Sequence, residues 1–388
     1  MHRLAPHILV QGTADWNQAI ATNQHYMVRE LSRQFRITYV ESLGLRRPEI
    51  NSRDLRRVLH RLRPGRTRSS SQRPIPTGVQ IVSPKIVPIH RGLWLSLNRA
   101  LMTRALRNWM GTPATRVHWT YSPVTYEFNT FADVSVYHCV DLYAEFPGID
   151  RDLILRSEQR LARLGALAIG SSEVVVAHLK RQGFSTVLFW PNVADVDRIK
   201  MARNRTSQAK RSGAVFAGNL SDKKVDFALL RHLVEKGIEL HLAGPVAEGG
   251  GASQAEVNAL IAAGAVYHGV LGFDQLAALL HYCKVGLIPY QLNDYTMGVN
   301  PLKTFEYLAA GLAVVSTPIP SVAPLPGDVT ITSSHEEFGL SVDQRMAEVR
   351  DTDVNRRIAI ADVHSWRERG EWARKLVEEI CERVSGVT

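Results

Sequence analysis

The sequence predicts an α/β protein of two domains, each built on a doubly wound parallel sheet. Short apolar runs of strand length alternate with amphipathic stretches of helical spacing in both halves of the chain. This is the pattern of parallel strands joined by crossover helices. A chain of 388 residues with 45% hydrophobic residues can fill about two cores, at roughly 150 residues per domain. We expect one domain over residues 1–195, a second over 196–363 and a carboxyl-terminal helix over 364–388.

The first half opens with a βαβ unit. HILV (residues 7–10) predicts a strand, the stretch from Ala19 to Phe35 a helix, and ITYVES (residues 37–42) the next strand. RVHWTYS, VSVYHCVD, LGALAIGSS and TVLFWPN predict further strands. Ligands of open α/β sheets bind at the carboxyl ends of the strands. The residues that end these four strands are therefore candidate cleft residues: Ser122, Asp141, Ser171 and Asn192.

The second half repeats the alternation after a segment of low apolar content, Asp197 to Ser212, which predicts a linker. GAVFAGNL, IELHLAG, AVYHGVL, KVGLIPY and AVVSTP then predict parallel strands with helices between them. SWRERGEWARKLVEEICERV predicts a helix that Ser365 caps and that packs across both domains. Its expected apolar face comprises Trp372, Leu376, Ile380 and Val384.

Positive charge is concentrated in the first half. Residues 1–200 carry 28 Lys and Arg and 15 Asp and Glu, a net charge of +13, whereas the remaining residues have a net charge of −3. Residues 46–107 alone hold 15 basic and two acidic residues. This asymmetry predicts an anionic partner, with a solvated arginine-rich face as the alternative. No nucleic-acid partner is expected, because no recognised nucleic-acid-binding motif accompanies the charge.

Two segments of this basic region are candidates for contact with a membrane surface. The run from Arg66 to Pro76 is rich in Arg, Ser and Pro and predicts a flexible loop. Residues 92–109 place apolar side chains at helical spacing among arginines. That stretch is either an ordinary amphipathic helix packed on the sheet or a basic amphipathic element that touches anionic lipid. The apolar positions are Leu93, Trp94, Leu97, Leu101 and Leu106.

The sequence predicts a cytosolic protein. It has no run of the roughly 18 apolar residues that a membrane span needs, and its amino terminus lacks the apolar run of a signal peptide. The three cysteines have neither metal-type nor redox-pair spacing and are interpreted as reduced thiols.

The strongest signal for chemistry is MGVNPLKTFEYLAAGLAVVSTPIPSV (residues 297–322). Asn300 is a candidate cap of a helix that starts at Pro301, where the missing amide proton is not needed. Lys303 and Glu306 then share one helical face. Free amides beside a lysine suit a diphosphate, and the Glu306 carboxylate could accept both ribose hydroxyl protons. The alternative is a surface ion pair between Lys303 and Glu306.

NPLKTFEYLAAGLAVVST resembles the donor-binding helix of the retaining, family-four-like glycosyltransferases, in which two Rossmann-like domains face across a cleft in the GT-B architecture. The resemblance covers nearly the whole chain. WPNVADVD (residues 190–197) is similar to the family's hinge segment, and FAGNLSDKKVD (residues 216–226) to a strand and loop that approach the donor phosphates. The resemblance implies Lys223 and Lys224 as phosphate contacts, with Gly218 and Asn219 on the approaching backbone.

The chain departs from the family at the first of its two paired glutamates. Gly298 stands in that region, and we expect the backbone amides of Gly298 and Val299 to replace the missing carboxylate. The first half is more similar to bacterial capsular, teichuronic-acid and exopolysaccharide transferases, which share a motif like tyrosine-aspartate-cysteine-x-aspartate. VYHCVDLYAEFPG corresponds to that motif, with His138 in place of the first aspartate and Asp141 as the second.

Asp141 is the main catalytic candidate, since partial desolvation at a strand end would raise its pKa toward that of a general base for the acceptor hydroxyl. His138 is the second candidate, and structural hydrogen bonding is the alternative for both. Asp15, Trp16 and His25 follow the first strand and could hold an acceptor sugar through hydrogen bonds and ring stacking. Helix capping by Asp15 and core packing of Trp16 are the alternatives.

The resemblance and these residues together imply transfer of a sugar from a nucleoside-diphosphate sugar to a lipid-linked or polysaccharide acceptor, at the inner face of the cell membrane. No cofactor or metal is expected, because Lys223, Lys224 and Lys303 can neutralise the leaving diphosphate. The DVD sequence at residues 195–197 is expected to form a hinge turn. The alternatives are a nucleotide-sugar epimerase of the same fold and a non-catalytic surface-binding protein.

Overall fold

The computed structural model describes residues 4–18, 20–44, 73–87, 89–90, 92–146, 148–203, 211–246, 253–347, 350–384 and 386. The chain forms two compact units, Met1–Trp190 with Gly370–Thr388, and Pro191–Arg369. Each is a parallel sheet surrounded by helices, so the predicted α/β class is confirmed. Residues 66–72 of the predicted flexible loop lie outside the described residues, as does much of the basic run before them.

The first unit is built on a sheet of seven described strands, all paired in parallel. Their bounds are β1 (His7–Gln11), β2 (Arg36–Val40), β3 (Val79–Val82), β4 (Arg116–Thr120), β5 (Val134–Cys139), β6 (Leu167–Gly170) and β7 (Val187–Phe189). They lie in the order β3-β2-β1-β4-β5-β6-β7. The central strands are almost wholly buried, as expected of a parallel sheet covered on both faces.

Four helices cover this sheet among the described residues before Trp190: α1 (Asn23–Leu31), α2 (Leu93–Met110), α3 (Arg151–Arg163) and α4 (Glu173–Arg181). The side chains of Asp150 and Ser172 cap α3 and α4, each accepting a backbone N–H at 3.2 Å. Helix α1 is shorter than the predicted stretch from Ala19 to Phe35.

Helix α2 buries a different face from the predicted one. Its buried side chains are Asn98, Met102, Leu106 and Trp109. Leu93 is 91% exposed and Trp94 45% exposed, with Leu95 and Leu97 also exposed. The buried stripe starts one turn into the helix because the Asn98 amide is held by the carbonyls of Val87 and Ile89. The first turn therefore presents apolar side chains outward.

The second unit contains a parallel sheet of six described strands. Their bounds are β8 (Ala214–Ala217), β9 (Leu240–Ala243), β10 (Val266–Tyr267), β11 (Val285–Ile288), β12 (Ala313–Ser316) and β13 (Val329–Ile331). They lie in the order β10-β9-β8-β11-β12-β13. The five strands predicted in this half are confirmed, and β13 had not been predicted.

The helices described in this unit surround the sheet and include two short ones near the carboxyl end of β11. Their bounds are α5 (Val196–Arg203), α6 (Phe227–Glu235), α7 (Ser253–Ala262), α8 (Phe273–Tyr282), α9 (Asp294–Met297), α10 (Lys303–Ala309), α11 (His335–Ala347) and α12 (Asp351–Asp362).

Helix α5 corrects two predictions. Residues 197–203 were predicted to begin a linker and residues 195–197 to form a hinge turn, but the helix starts at Val196. Val196 and Ile199 are buried in the core of the second unit, and the Ile199 carbonyl accepts a hydrogen bond from His281 at 2.9 Å. Low apolar content misled the prediction, because two buried side chains suffice to dock a helix this short.

The last helix, α13 (Trp366–Val384), is capped as predicted: Ser365 Oγ accepts the Glu368 N–H at 3.3 Å. Its predicted face is wrong. Trp372 and Val384 are exposed, whereas the buried stripe is Gly370, Ala373, Val377 and Ile380 with Cys381. Small residues at the start of that stripe let the helix approach α1, where Arg374 donates to the Glu30 carbonyl at 2.9 Å. None of the described helices is both long and apolar enough to cross a membrane.

Candidate functional site

Each sheet has one point where the strand order reverses direction, and such points are where ligands of doubly wound sheets bind. In the second sheet it lies between β8 and β11, and in the first between β1 and β4. Most sequence-predicted site residues lie in loops at the carboxyl ends of these strands or of their neighbours. The residues predicted to bind the donor lie in the second unit and are called donor-side residues, and those predicted to bind the acceptor lie in the first and are called acceptor-side residues.

Lys303 and Gly218 are in contact at the carboxyl edge of the second sheet. A methyl group built on Gly218 would lie 2.5 Å from Lys303 Cε and 3.0 Å from Nζ, so the lysine side chain occupies the space that any Cβ would take. Gly244, after β9, packs as closely, since a methyl group there would lie 2.0 Å from the Gly218 carbonyl oxygen. Two glycine backbones and an ammonium group thus meet at one place.

Helix α10 carries Lys303 and faces the end of β8. The Tyr307 hydroxyl accepts the Ala217 N–H at 3.0 Å, which fixes this face of the helix against the strand. The backbone N–H groups of Leu302 and Lys303 donate to no group in the described part of the chain. Unsatisfied amides beside an ammonium group create a positive potential.

The predicted Asn300 cap is wrong. Leu302 occupies the cap position of α10, without a side-chain bond. Asn300 is buried instead, and its carbonyl accepts a hydrogen bond from Asn192 Nδ2 at 2.6 Å. Because this bond holds the backbone of Asn300 against residue 192, the helix starts two residues later than Pro301.

Glu306 lies on the same helix, partly buried. Burial raises the pKa of its carboxyl group, Lys303 opposes that rise and Asp195 adds to it. The ion pairs found in the described part of the chain do not include Lys303 with Glu306, so the surface ion pair considered as the alternative does not form. Both groups remain available for a ligand.

The amides of Gly298 and Val299 do not have the role expected for them. The Gly298 N–H donates to the Tyr295 carbonyl at 3.2 Å, and the Val299 N–H donates to the Thr296 carbonyl at 3.1 Å. Both amides are used to close the end of α9. They cannot at the same time take the place of a sugar-binding carboxylate.

Lys223 and Lys224 follow β8 but have different environments. The Lys224 ammonium lies 4.5 Å from the centre of the Tyr290 ring, a cation–π contact that holds it beside the end of β11. Lys223 is exposed, and its carbonyl accepts a hydrogen bond from Asn293 Nδ2 at 3.0 Å. Asn219, next to Gly218, is partly buried. Of the two lysines, Lys223 has the freer side chain.

On the acceptor side, the loop after β1 is held by hydrogen bonds from buried side chains. Trp16 is buried, with its ring against His25 and Tyr39, so it has the core position considered as the alternative to sugar stacking. His25 donates to the Asp15 carbonyl at 3.2 Å, and burial lowers the pKa of His25 to about 4. Asp15 is partly exposed, and the N-cap position of α1 is held by Thr22, so the alternative of a helix cap is wrong.

Asp141 and His138 have opposite surroundings. His138 is 3% exposed on β5, stacked on Tyr121 at a ring-centre distance of 4.9 Å and edge-on to Trp119 and Trp190. Asp141 is partly exposed, two residues beyond the strand. Of the two, Asp141 is the residue that a substrate can reach.

Sequence reasoning missed Thr13 and Tyr143, whose side-chain oxygens lie 3.2 Å apart. This contact brings the loop that carries Asp15 to the loop that carries Asp141. Both residues lie just after predicted strands, and that position was the one signal that could have identified them. In the described part of the chain, no group of three or more His, Cys, Asp or Glu side chains is placed to hold a metal ion.

No protein-family model matches the chain. Among curated proteins, it is similar to TuaH of Bacillus subtilis strain 168, which carries the provisional name of a teichuronic acid biosynthesis glycosyltransferase. The two are 30% identical over 130 residues, which is 32% of this chain and 32% of TuaH. The match thus spans about a third of the relative's length.

Solved structures resemble the chain over almost its full length. Sucrose-phosphate synthase from Thermosynechococcus elongatus has a TM-score of 0.69 at 12% identity, with 98% of this chain and 100% of that chain covered. HepE of Anabaena, solved in complex with UDP, has a TM-score of 0.62 at 14% identity, covering 97% and 100%. The chain therefore has the GT-B fold.

Proposed function

We propose that this protein is a glycosyltransferase that takes a sugar from a nucleoside-diphosphate sugar and joins it to an acceptor hydroxyl group. The proposal is carried by the position of Lys303 on the Gly218 backbone, at the carboxyl edge of the second sheet. A diphosphate bound there would meet an ammonium group and a glycine backbone that carries no side chain. The UDP bound to HepE, which has the same fold, supports this choice of ligand.

Each donor-side residue then has a role that follows from its surroundings. Lys303, with the free amides of Leu302 and of its own backbone, balances the charge of the diphosphate as it leaves. Glu306 accepts hydrogen bonds from the ribose hydroxyls, and the raised pKa of its buried carboxyl is lowered again by such donors. Lys223 supplies a second, more flexible positive charge, and Lys224 braces the loop on Tyr290.

Asp141 is the proposed base for the acceptor hydroxyl. The acceptor hydroxyl oxygen attacks the anomeric carbon of the donor sugar while its proton passes to the Asp141 carboxylate. The bond between the anomeric carbon and the diphosphate oxygen breaks, and the diphosphate leaves. The proposed acceptor is a saccharide or a lipid-linked saccharide. The similarity to TuaH, named for teichuronic acid biosynthesis, supports a polysaccharide product.

We propose that transfer needs no divalent ion, because Lys303, Lys223 and the two amides already supply positive charge to the leaving group. Transfer measured in excess chelator should continue at its normal rate. If the chelator abolished transfer and added Mg²⁺ or Mn²⁺ restored it, the proposal of metal-independent transfer would be contradicted.

The first turn of α2 is the proposed contact with the inner face of the cell membrane. Leu93, Trp94, Leu95 and Leu97 are exposed together. Arginines follow on the same helix, and Arg104 and Arg107 are exposed there. Apolar side chains next to basic ones are the composition of a helix that lies on anionic lipid. Docking there would bring the protein to a lipid-linked acceptor.

Binding of nucleoside diphosphates measured by isothermal titration calorimetry tests the proposed function directly. We expect UDP, or another nucleoside diphosphate from a panel of UDP, GDP, ADP and dTDP, to bind at micromolar concentration to the unmodified chain. Binding of none of the four would contradict the proposal and would favour a non-catalytic surface-binding protein. Conversion of a nucleotide sugar without an acceptor product would favour an epimerase.

A further inference from the structure

Thr13 and Tyr143 join two loops at the carboxyl edge of the first sheet. Thr13 follows β1 and Tyr143 follows β5, yet Thr13 Oγ1 and the Tyr143 hydroxyl lie 3.2 Å apart. Strand β4 lies between β1 and β5. The contact therefore reaches across the end of β4, at the point where the strand order reverses.

The Thr13 side of this contact is fixed by the core. Gln24 donates to Thr13 Oγ1 at 2.8 Å and accepts the Thr13 N–H at 2.8 Å. Tyr39 donates to the Ala14 carbonyl at 2.7 Å, and Glu41 accepts the Trp16 N–H at 2.8 Å. The loop that carries Asp15 is thus held along its length, and Tyr143 meets a side chain that Gln24 already holds.

The Tyr143 side is tied directly to the proposed base. The Tyr143 N–H donates to the Asp141 carbonyl at 3.0 Å, in the short turn Tyr143–Glu145. Burial, and then the charge of Asp141, raise the pKa of Tyr143 above its usual value. The hydroxyl therefore keeps its proton at neutral pH and remains a hydrogen-bond donor.

A second tyrosine lies at the end of the strand that this contact crosses. Tyr121 directly follows β4, is 1% exposed and stacks on His138 at a ring-centre distance of 4.9 Å. Burial raises the pKa of its hydroxyl, and the Trp119 side chain opposes that rise. A buried aromatic side chain therefore occupies the end of β4 between the two loops.

We propose that Tyr143, held by Thr13, is a positioning residue for the acceptor: it fixes Asp141 relative to the Asp15 loop, so that an acceptor hydroxyl placed between the two loops meets the carboxylate. This inference rests on the proposed function. It assigns to Thr13 and Tyr143 a role in acceptor use and none in donor binding, because both lie in the first unit, whereas the donor-side residues lie in the second.

Steady-state kinetics of Tyr143→Phe, Thr13→Val and the double variant test the inference. The probes are the nucleotide sugar selected by calorimetry as donor and n-octyl glycosides of glucose, galactose and glucuronic acid as acceptors. Tyr143→Phe removes the shared hydrogen bond, and Thr13→Val removes that bond together with the one from Gln24. Loss of the shared bond should lower kcat/KM for the acceptor roughly three- to tenfold in each single variant. The donor KM and the slow hydrolysis of the donor by water should not change. Because the two residues act through one contact, the double variant should lose no more than either single variant.

Tyr137→Phe is the matched control. Tyr137 lies on β5, the strand that leads to the Asp141 loop, and its hydroxyl donates to Glu158 at 3.0 Å and not to Thr13. This variant should lose stability and keep its acceptor kcat/KM. Equal acceptor kcat/KM in Tyr143→Phe and Tyr137→Phe would overturn the inference. So would a double variant in which the losses of Tyr143→Phe and Thr13→Val add in full. In either case, nucleoside-diphosphate binding by the unmodified chain would still support the proposed function. No nucleoside-diphosphate binding by the unmodified chain would overturn the proposed function, and the inference with it.

Discussion

The absence of one side chain determines where Lys303 lies. Gly218 leaves the space that the lysine methylenes fill, and any larger residue there would meet Lys303 Cε at 2.5 Å. The ammonium is thereby brought beside the Gly218 backbone at the end of β8. At the scale of single residues, the proposed diphosphate site depends on this pair more than on any cap or ion pair of helix α10.

Asp141→Asn should separate binding from chemistry. The amide cannot take a proton from the acceptor, so we expect kcat to fall by roughly 10²- to 10⁴-fold. The affinity for a nucleoside diphosphate, measured by calorimetry, should stay the same. Asp152→Asn, an exposed position in the first turn of α3, is the control and should keep full turnover. A normal kcat in Asp141→Asn would remove Asp141 from the mechanism.

Residue types that bind phosphate could be identified from the sequence, but their neighbours could not. Lys303 and Glu306 were predicted on one face, and the structure places them so. The amides of Gly298 and Val299 donate to the carbonyls of residues 295 and 296 at the end of α9. The orientation of those carbonyls could not be predicted from a sequence pattern. The Thr13–Tyr143 contact joins segments far apart in sequence and depends wholly on the sheet order.

At the scale of helices and strands, the first turn of α2 is the element to test for membrane contact. Leu93→Ser combined with Trp94→Ser should weaken binding to vesicles that contain anionic lipid by about tenfold or more, since burial of such side chains contributes roughly 1.5–3 kcal/mol each. Co-sedimentation with phosphatidylglycerol vesicles measures this. Leu164→Ser, at another exposed leucine of the same unit, is the control and should bind as the unmodified chain does. Equal binding by all three proteins would rule out this surface.

The contact between α13 and α1 predicts a sensitive glycine. A methyl group on Gly370 would lie 2.6 Å from Glu30 Cβ and 2.7 Å from its Cγ, so a larger residue forces the two helices apart. Gly370→Val should lower the free energy of unfolding by roughly 1–3 kcal/mol, as overpacking of a buried contact does. Glu371→Val, at the exposed neighbouring position, is the control in chemical denaturation. Equal stability of the two variants would show that the helices have room to move.

Element type followed from periodicity, but the buried face of a helix did not always follow. The stripe of α13 contains Gly370 and Ala373, which carry little apolar signal, whereas the conspicuous Trp372 is exposed. In α2, a buried amide, Asn98, sets the phase. The buried face of a helix was predicted wrongly where close approach of the backbone or a buried hydrogen bond, and not apolar area, determines which face packs.

At the scale of the whole molecule, the first unit should lose stability in mild acid. Burial lowers the pKa of His7 and His25 to about 4 and that of His118 to about 3, against about 6.5 in an unfolded chain. Below pH 6.5 the unfolded chain therefore binds protons that the native one does not, and the free energy of unfolding falls until about pH 4. The contribution is at most about 3 kcal/mol each for His7 and His25 and about 5 kcal/mol for His118.

Urea denaturation between pH 7 and pH 4.5, followed by tryptophan fluorescence, measures this dependence. His118→Gln should reduce its slope, because one proton fewer is taken up on unfolding. A midpoint that stays constant over this range would mean that these histidines are protonated in the native protein.

The two-sheet architecture was the most predictable feature of the molecule. Parallel strands buried on both faces form apolar runs that stand out in a sequence, as HILV and AVVS do. The boundary between the units was harder to place. Residues 196–203 are polar enough to read as a linker, yet Val196 and Ile199 attach them to the second core. The composition of a short segment indicates only its average polarity. Two buried side chains are enough to attach such a segment to the core of one unit.

The most direct test of the account is nucleoside-diphosphate binding by Lys303→Met, which keeps an unbranched side chain, one atom shorter, and removes its charge. Calorimetry should find affinity reduced at least tenfold, since charge-assisted hydrogen bonds contribute about 1.5–3 kcal/mol. Lys236→Met, at an exposed lysine of the same unit that pairs with Glu336 at 2.7 Å, should bind as the unmodified chain does. Equal affinity in Lys303→Met and Lys236→Met would contradict the account.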